Sequence, residues 1–345
     1  MRFFKVIIYN FFIFFFFIIL LEAIFGYWFK KENFGIYMRK ERKINWQTNS
    51  SFYGQNYNFF YKRNFWGFRG DEFDPKDVKV IFEGGSTGNQ RFTPENLTIV
   101  GLLNDGFKNL NHDIKIYNAS TDGKSVNGYI NDFNFWFPKI PNFNPKYVIF
   151  YIGINDRFDN YDSAYFMDNK VSEQRLDQIK DYIKNNSFFV DKFKSIKNKY
   201  LPKNTFAYNL SNNSIYENFE YINLKTAFKI HDNIEDKNLI LIKNFRSKLD
   251  KLNSIIKKLE IKPILINQLM YDGLKDKKLF LVNNELKNFA IENDYYLIAL
   301  DEIITMEQRD YFDTAHTTPK GSKRIADKIF PLLIKFFEEN NEISK

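Results

Sequence analysis

Two short runs carry the residue types needed to turn a hydroxyl into a nucleophile. Gly84-Gly85-Ser86-Thr87-Gly88 stands near the front of the chain and Asp313-Thr314-Ala315-His316 near its end. A serine attacks poorly at neutral pH unless a base within hydrogen-bond reach takes its proton and a third group orients that base. The chain holds three histidines, His112, His231 and His316. Only His316 has an aspartate one turn upstream and a helix start, Thr318-Pro319, just beyond. Ser86, His316 and Asp313 are therefore the candidate catalytic residues. His112 and His231 lie in polar stretches and are expected at the surface.

These runs need elements to position them. From Val78 onward, strand-like and helix-like patterns alternate, which predicts an α/β fold with a parallel sheet. Val78–Glu83, Ile114–Asn118, Tyr147–Ile152, Ile264–Asn267 and Tyr296–Leu300 read as strands. The unbroken apolar run Tyr147–Ile152 suits a central buried one. Helical spacing covers Leu97 to Leu110, Val126 to Phe137 (stopped by Pro138), Leu241 to Leu259 and Leu279 to Ile291. A last helix opens at Thr318-Pro319 and runs to about Phe337, with Pro331 placed to kink it. Residues 157–236 break the rhythm. They are too long for a simple connection and read as a helical insertion, a candidate lid. One amphipathic helix there carries Leu176, Ile179 and Ile183; another opens at Ser187 and carries Phe189, Phe193 and Ile196.

In open α/β sheets, ligands bind beyond the carboxyl ends of the strands. The residues just past the first strand are Gly84–Gly88. Past the second come Asn118-Ala119-Ser120-Thr121-Asp122-Gly123, past the third Gly153-Ile154-Asn155-Asp156, and past the last Asp313–His316. All four segments are expected to converge on one crevice.

In these four blocks, in this order, the chain resembles the SGNH (GDSL-type) hydrolase family. Gly84-Gly85-Ser86 stands where the family has Gly-Asp-Ser, a departure at the middle residue. Gly123 matches the glycine of the second block, Gly153 to Asp156 match Gly-x-Asn-Asp, and Asp313 and His316 match Asp-x-x-His. The resemblance spans about Val78 to Phe337 without the insertion. Asn64, Gly67, Phe68 and Arg69 also resemble the lead-in of membrane-anchored members found with polysaccharide genes. The resemblance implies a three-layer α/β/α sandwich of flavodoxin-like type. It implies an oxyanion hole from the backbone N–H groups of Ser86 and Gly123 and the side-chain amide of Asn155; Asp156, in a strand-ending turn, is expected to be structural. As substrate it implies an O-acyl group, O-acetyl foremost, on an envelope or secreted polysaccharide, removed to water or transferred to a sugar. Polysaccharide-assembly proteins are the implied partners. The Gly85 departure leaves open a catalytically silent carbohydrate-binding or scaffold protein.

Rival motifs fit less well. Gly84-x-Ser86-x-Gly88 also matches a nucleophile elbow, but that elbow normally follows several strands and the oxyanion motif His-Gly-Gly-Gly is missing upstream. A dinucleotide fingerprint needs another glycine spacing and an acid where Asn118 stands, and a P-loop needs Gly-Lys-Ser/Thr. No cofactor or metal is expected.

Composition bounds the remaining classes. With 44% hydrophobic and 27% charged residues the chain is globular rather than disordered. Its net charge of +8 arises from basic residues interleaved with acidic ones, which reads as solvated helix faces and not as a nucleic-acid stripe. Cysteine is absent, which excludes disulfides, thiolate metal sites and a cysteine nucleophile. Val6 to Phe25 is almost wholly apolar, long enough to span a bilayer. Arg2 and Lys5 precede it, Tyr27 and Trp28 follow, and Glu22-Ala23-Ile24-Phe25-Gly26 is a poor cleavage site. The expected layout is an uncleaved single-pass anchor over residues 1–28, a stalk over 29–76 and the hydrolase-like domain over 77–340. Lys30 to Lys43 would pull the following side into the cytoplasm by charge, but long domains translocate largely regardless of it. The catalytic domain is expected outside the cytoplasmic membrane, in the periplasm if the cell is Gram-negative.

Overall fold

The computed structural model describes residues 2–26, 28, 43–48, 55–158, 183, 187–201, 203–204, 219–233 and 235–343. In chain order these form α1 (Arg2–Phe25), β1 (Lys43–Gln47), β2 (Asn58–Lys62), β3 (Val80–Gly84), the single turn α2 (Ser86–Asn89), α3 (Ile99–Asn109), β4 (Ile116–Asn118), α4 (Val126–Asn131) and β5 (Tyr147–Ile152). There follow α5 (Phe188–Tyr200), β6 (Lys203–Asn204), α6 (Leu224–Ile230), α7 (Asp236–Lys258), β7 (Lys262–Asn267), α8 (Lys277–Glu292), β8 (Tyr296–Ile298), the short α9 (Leu300–Ile303) and α10 (Pro319–Glu339).

Five strands pair in parallel in the order β4-β3-β5-β7-β8. Side chains alternate across the pleat. Tyr147, Ile149 and Tyr151 of β5 therefore join one core, with Leu103 and Phe107 of α3 and Ile329 and Leu333 of α10. Val148, Phe150 and Ile152 join the other, with Tyr129 of α4, Leu241, Phe245 and Leu249 of α7 and Leu286 of α8. Burial on both faces explains why β5 is apolar throughout. The result is a three-layer α/β/α sandwich. Its strand order is the flavodoxin-like one, with the topological switch point between β3 and β5.

Some elements depart from the sequence expectation. β4 begins at Ile116 and β8 ends at Ile298, because Leu300 already opens α9. Past Asn131 the chain leaves α-helical geometry for a wider turn over Asp132–Trp136 and a tight one over Phe137–Lys139. Pro138 has no N–H with which to continue the ladder, and the widened turn keeps Phe133, Trp136 and Phe137 in the core. α10 runs through Pro331 to Glu339. His231 is buried rather than exposed, packed on Phe280 with Nε2 3.0 Å from the Leu274 carbonyl oxygen. His112 is half-buried.

Residues 43–62 hold secondary structure that no sequence period announced. β1 pairs antiparallel with β2 and in parallel with β6, and Ile44, Trp46 and Tyr61 form a small buried cluster. α5 opens at Ser187, whose hydroxyl accepts from Val190 N. Leu176 and Ile179 of the other expected amphipathic helix lie outside the described residues. In α1, Phe3–Phe25 has a mean hydropathy of 2.5 and is long and apolar enough to cross a membrane, a test that a signal sequence also meets.

Candidate active site

β3 delivers its last residue, Gly84, to the carboxyl edge of the sheet, and Ser86 begins α2 two residues later, after Gly85. Ser86 Oγ lies 2.7 Å from His316 Nε2, and His316 Nδ1 lies 2.7 Å from Asp313 Oδ2. The three form one hydrogen-bonded line across 230 positions of sequence. The Asp313–His316 turn is held by its own acid: Asp313 Oδ1 accepts from Ala315 N at 2.8 Å and from His316 N at 2.7 Å. Phe312 N donates to the His316 carbonyl oxygen, and the Phe312 ring stacks on the imidazole with centroids 5.7 Å apart. Thr318 then caps α10, so the helix start seen in the sequence fixes the histidine loop.

Electrostatics follow from this line. Burial disfavours the His316 imidazolium, but the hydrogen bond and charge of Asp313, with the charge of Asp122, outweigh it and raise the His316 pKa above its ordinary value. Burial likewise opposes the Asp313 carboxylate. Its hydrogen bonds to His316 and to the backbone prevail and lower its pKa.

The other expected residues sit around the serine. Gly123 (φ 76°) lines a cavity of about 220 Å³ together with Ser86, Asp122, Phe312 and His316. Only glycine adopts that left-handed backbone without strain. Asn155 Nδ2 donates to the Lys124 carbonyl oxygen at 2.8 Å and lies against Gly85. It sits beside the serine turn and is not part of the cavity lining. Asp156 is buried and accepts from Val126 N at 2.9 Å. Burial pushes its carboxyl up to about 6, against that hydrogen bond and the charge of Lys248.

Several site residues have no sequence signal of their own. Gln90 takes a left-handed backbone (φ 44°) at the end of α2. Its amide donates to Thr317 Oγ1 at 2.9 Å and to Ser322 Oγ at 2.6 Å, tying the serine turn to the histidine loop. Arg63 donates to Ser120 O and to Asn89 Oδ1, and Arg69 to Asn89 O and Thr93 O. Both arginines are buried. The segment before the sheet thus grips the loops after β3 and β4. At the cavity wall Arg91 pairs with Asp122 at 2.6 Å and lies over the rings of Trp46 and Phe92. Burial works against the Asp122 carboxylate, yet Arg91 and a hydrogen bond from Asn89 hold its pKa low.

A search of the curated proteins finds no match. Among solved structures, an acetyl xylan esterase, AlAXEase, is similar at 14% identity and TM-score 0.40, covering 74% of this chain and 100% of that one. A lipolytic G-D-S-L family protein from Veillonella parvula is similar at 13% identity and TM-score 0.41, covering 74% and 98%. A two-domain esterase active on acetylated mannans is similar at 10% identity and TM-score 0.42, covering 76% and 50%. The family model for GDSL-like lipase/acylhydrolase matches residues 64–329, from the arginine-bearing lead-in through most of α10. The chain belongs to the GDSL-like lipase/acylhydrolase family of ester hydrolases.

Proposed function

We propose that the protein is a serine esterase that removes O-acyl groups, O-acetyl foremost, from an envelope or extracellular polysaccharide, or transfers them between sugars. The observation that carries this reading is the Ser86–His316–Asp313 line, with both contacts at 2.7 Å. His316 Nε2 takes the Ser86 proton as Oγ attacks the ester carbonyl, and Asp313 holds the tautomer and the imidazolium that forms. The backbone N–H groups of Ser86 and Gly123 and the Asn155 amide receive the oxyanion. His316 returns the proton to the leaving sugar oxygen. Water or a sugar hydroxyl then attacks the acyl-serine, with His316 again the base.

The cavity supports a short acyl group on a carbohydrate. It offers aromatic walls, Phe92 and Phe312, against which sugar faces pack, and the Arg91–Asp122 pair for hydroxyls. α1 acts as the membrane anchor, with the catalytic domain on the extracytoplasmic side and polysaccharide-assembly proteins as neighbours.

A fluorophosphonate probe tests the reading. Full-length protein in detergent should be labelled and should release acetate from acetylated xylan or mannan, while Ser86→Ala does neither. Adding a deacetylated oligosaccharide acceptor separates transfer from hydrolysis by the fate of the acetyl group. Unlabelled wild type that binds glycan without releasing acetate would establish the silent carbohydrate-binding role instead.

A further inference from the structure

α1 contains a single acidic residue, Glu22, in an otherwise apolar last turn, and that residue is only 4% exposed. A carboxylate at the edge of a lipid-facing helix is costly unless it finds donors. Glu22 finds them at the start of α5. It accepts from Ser187 Oγ, from Phe188 N at 2.7 Å and from Phe189 N at 3.1 Å. A carboxylate there satisfies N–H groups that have no partner within the helix and meets the positive end of its dipole. The Phe25 and Phe188 rings pack with centroids 5.5 Å apart. The last turn of α1 and the first turn of α5 are thus joined by both polar and apolar contacts.

α5 packs one side on β1. Its other side exposes Phe193 (71%), Ile196 (57%) and Tyr200 (70%), with Phe189 at the head of the same row. Positions 189, 193, 196 and 200 share one face of an α-helix. Lys192 and Lys197 are exposed, and helical spacing puts them on opposite edges of that face. Such a stripe, flanked by lysines whose stems can lie along it, is the pattern of a helix lying in a membrane interface. It begins where the exposed apolar surface of α1 ends, at Phe25.

We infer that α5 lies on the surface of an anionic bilayer, with Phe189, Phe193, Ile196 and Tyr200 at the headgroup–acyl boundary and Lys192 and Lys197 on lipid phosphates. Glu22 is the joint that sets α5 against the anchor. The inference rests on the reading of α1 as an anchor and adds a second membrane contact. The hydrolase domain is then held against the lipid surface and does not swing from one helix.

The chain has no cysteine, so single substitutions can be labelled uniquely with an environment-sensitive fluorophore in the full-length protein. The vesicles are phosphatidylcholine with or without phosphatidylglycerol and carry doxyl quenchers near the headgroup or deep in the acyl chains. Labels at Phe193→Cys and Ile196→Cys should be quenched best by the shallow doxyl and a label at Phe12→Cys by the deep one. A label at Lys194→Cys, turned away from the stripe, should be quenched by neither. Changing Lys192 and Lys197 to Ala should weaken the hold on phosphatidylglycerol vesicles by about fivefold per lysine. Glu22→Ala should reduce quenching at 193 and leave that at 12 intact, with fluorophosphonate labelling unchanged as the check on folding. Quenching at 12 without quenching at 193 and 196 overturns the inference while leaving the anchor standing. No quenching at 12, with the chain in the soluble fraction, overturns the anchor itself. A disulfide between two Phe193→Cys chains would instead assign the stripe to a second copy and refute the lipid assignment.

Discussion

Gly85 stands where the family motif has aspartate, and the structure gives the departure a measurable consequence. Its backbone (φ −79°, ψ −153°) is open to any residue, so space and not conformation requires the glycine. A Cβ placed there would fall inside 3.0 Å of two atoms, Asn155 Nδ2 and the Lys124 carbonyl oxygen, the latter at 2.9 Å. Asn155 is the part able to give way, but its amide is fixed by the same Lys124 carbonyl at 2.8 Å. Gly85→Ala therefore breaks that hydrogen bond and pushes the amide back by about 1 Å, enough to disable the donor proposed for the oxyanion. Loss of one oxyanion donor costs about 10²–10³ in kcat. The expected result is a fall of that size in kcat with KM nearly unchanged, read by initial rates on p-nitrophenyl acetate. Asn155→Ala should cost about the same, and the double variant little more than Asn155→Ala alone, because both act on one donor. Wild-type kcat in Gly85→Ala would refute the argument. So would costs that multiply in the double variant, since they would mean that Gly85 and Asn155 act separately.

Two further predictions follow from named carboxylates. Asp313→Asn should cut kcat on the order of 10⁴-fold. Its Oδ1 keeps the two backbone N–H groups, which turns the amide NH2 towards His316 Nδ1 and forces the tautomer whose Nε2 cannot accept the Ser86 proton. In the wild type, kcat/KM should fall as pH drops through the raised His316 pKa, giving an acid limb with its midpoint above 6.5. The residual activity of Asp313→Asn should have its limb at lower pH, and an unmoved limb would assign it to another group. Asp156 works in the opposite sense on stability. Its folded pKa of about 6 lies above the ordinary aspartate value of 3.8, so the folded state binds the proton more tightly and stability is lost as pH rises from about 4 through 6. The loss is about 3 kcal/mol at most. Asp156→Asn keeps the acceptor for Val126 N and should stabilise the protein at pH 8 but not at pH 4, by urea unfolding in detergent. An equal effect at both pH values would contradict the burial argument.

How much of this was legible in the sequence depended on where each residue's partners lie. The inner strands β3, β5 and β7 are buried on both faces, so they read as apolar runs. The four chemical blocks were visible because each directly follows a strand or precedes a helix cap. β1 and β2 left no such trace. Trp46 is buried because it packs on Phe92, which neighbours Phe312 beside His316, and that chain of rings exists only in three dimensions. His231 sits among polar neighbours in sequence but under Phe280 in space. Gln90 looks like a loop residue, and its function comes from Ser322, 232 positions away. Of the two buried arginines before the sheet, Arg69 was legible only through family resemblance and Arg63 not at all, since a buried guanidinium serving loop carbonyls has no local pattern.

Lys124 shows most clearly what that missing layer does. In sequence it is an ordinary lysine after Gly123. In the fold it is wholly buried, its ammonium 2.8 Å from Glu83 Oε2 and 2.8 Å from the Ala119 carbonyl oxygen and in contact with Asp132. Burial pushes the Glu83 carboxyl well above its usual range, against the opposing charge of Lys124, and raises Asp132 as well. Burial thus works against the charged form of both carboxylates, and Lys124 opposes it for each. Buried ionic clusters of this kind add little stability over a well-packed apolar equivalent, so stability alone does not account for one beneath the site. Position does. Glu83 immediately precedes Gly84-Gly85-Ser86, and Lys124 immediately follows Gly123 and offers the carbonyl that fixes Asn155. These directional contacts therefore set the spacing between the serine turn and the two other donors proposed for the oxyanion, Gly123 and Asn155. An apolar trio could fill the same volume, but it could not hold that spacing to the few tenths of an ångström that a hydrogen bond to a developing oxyanion requires.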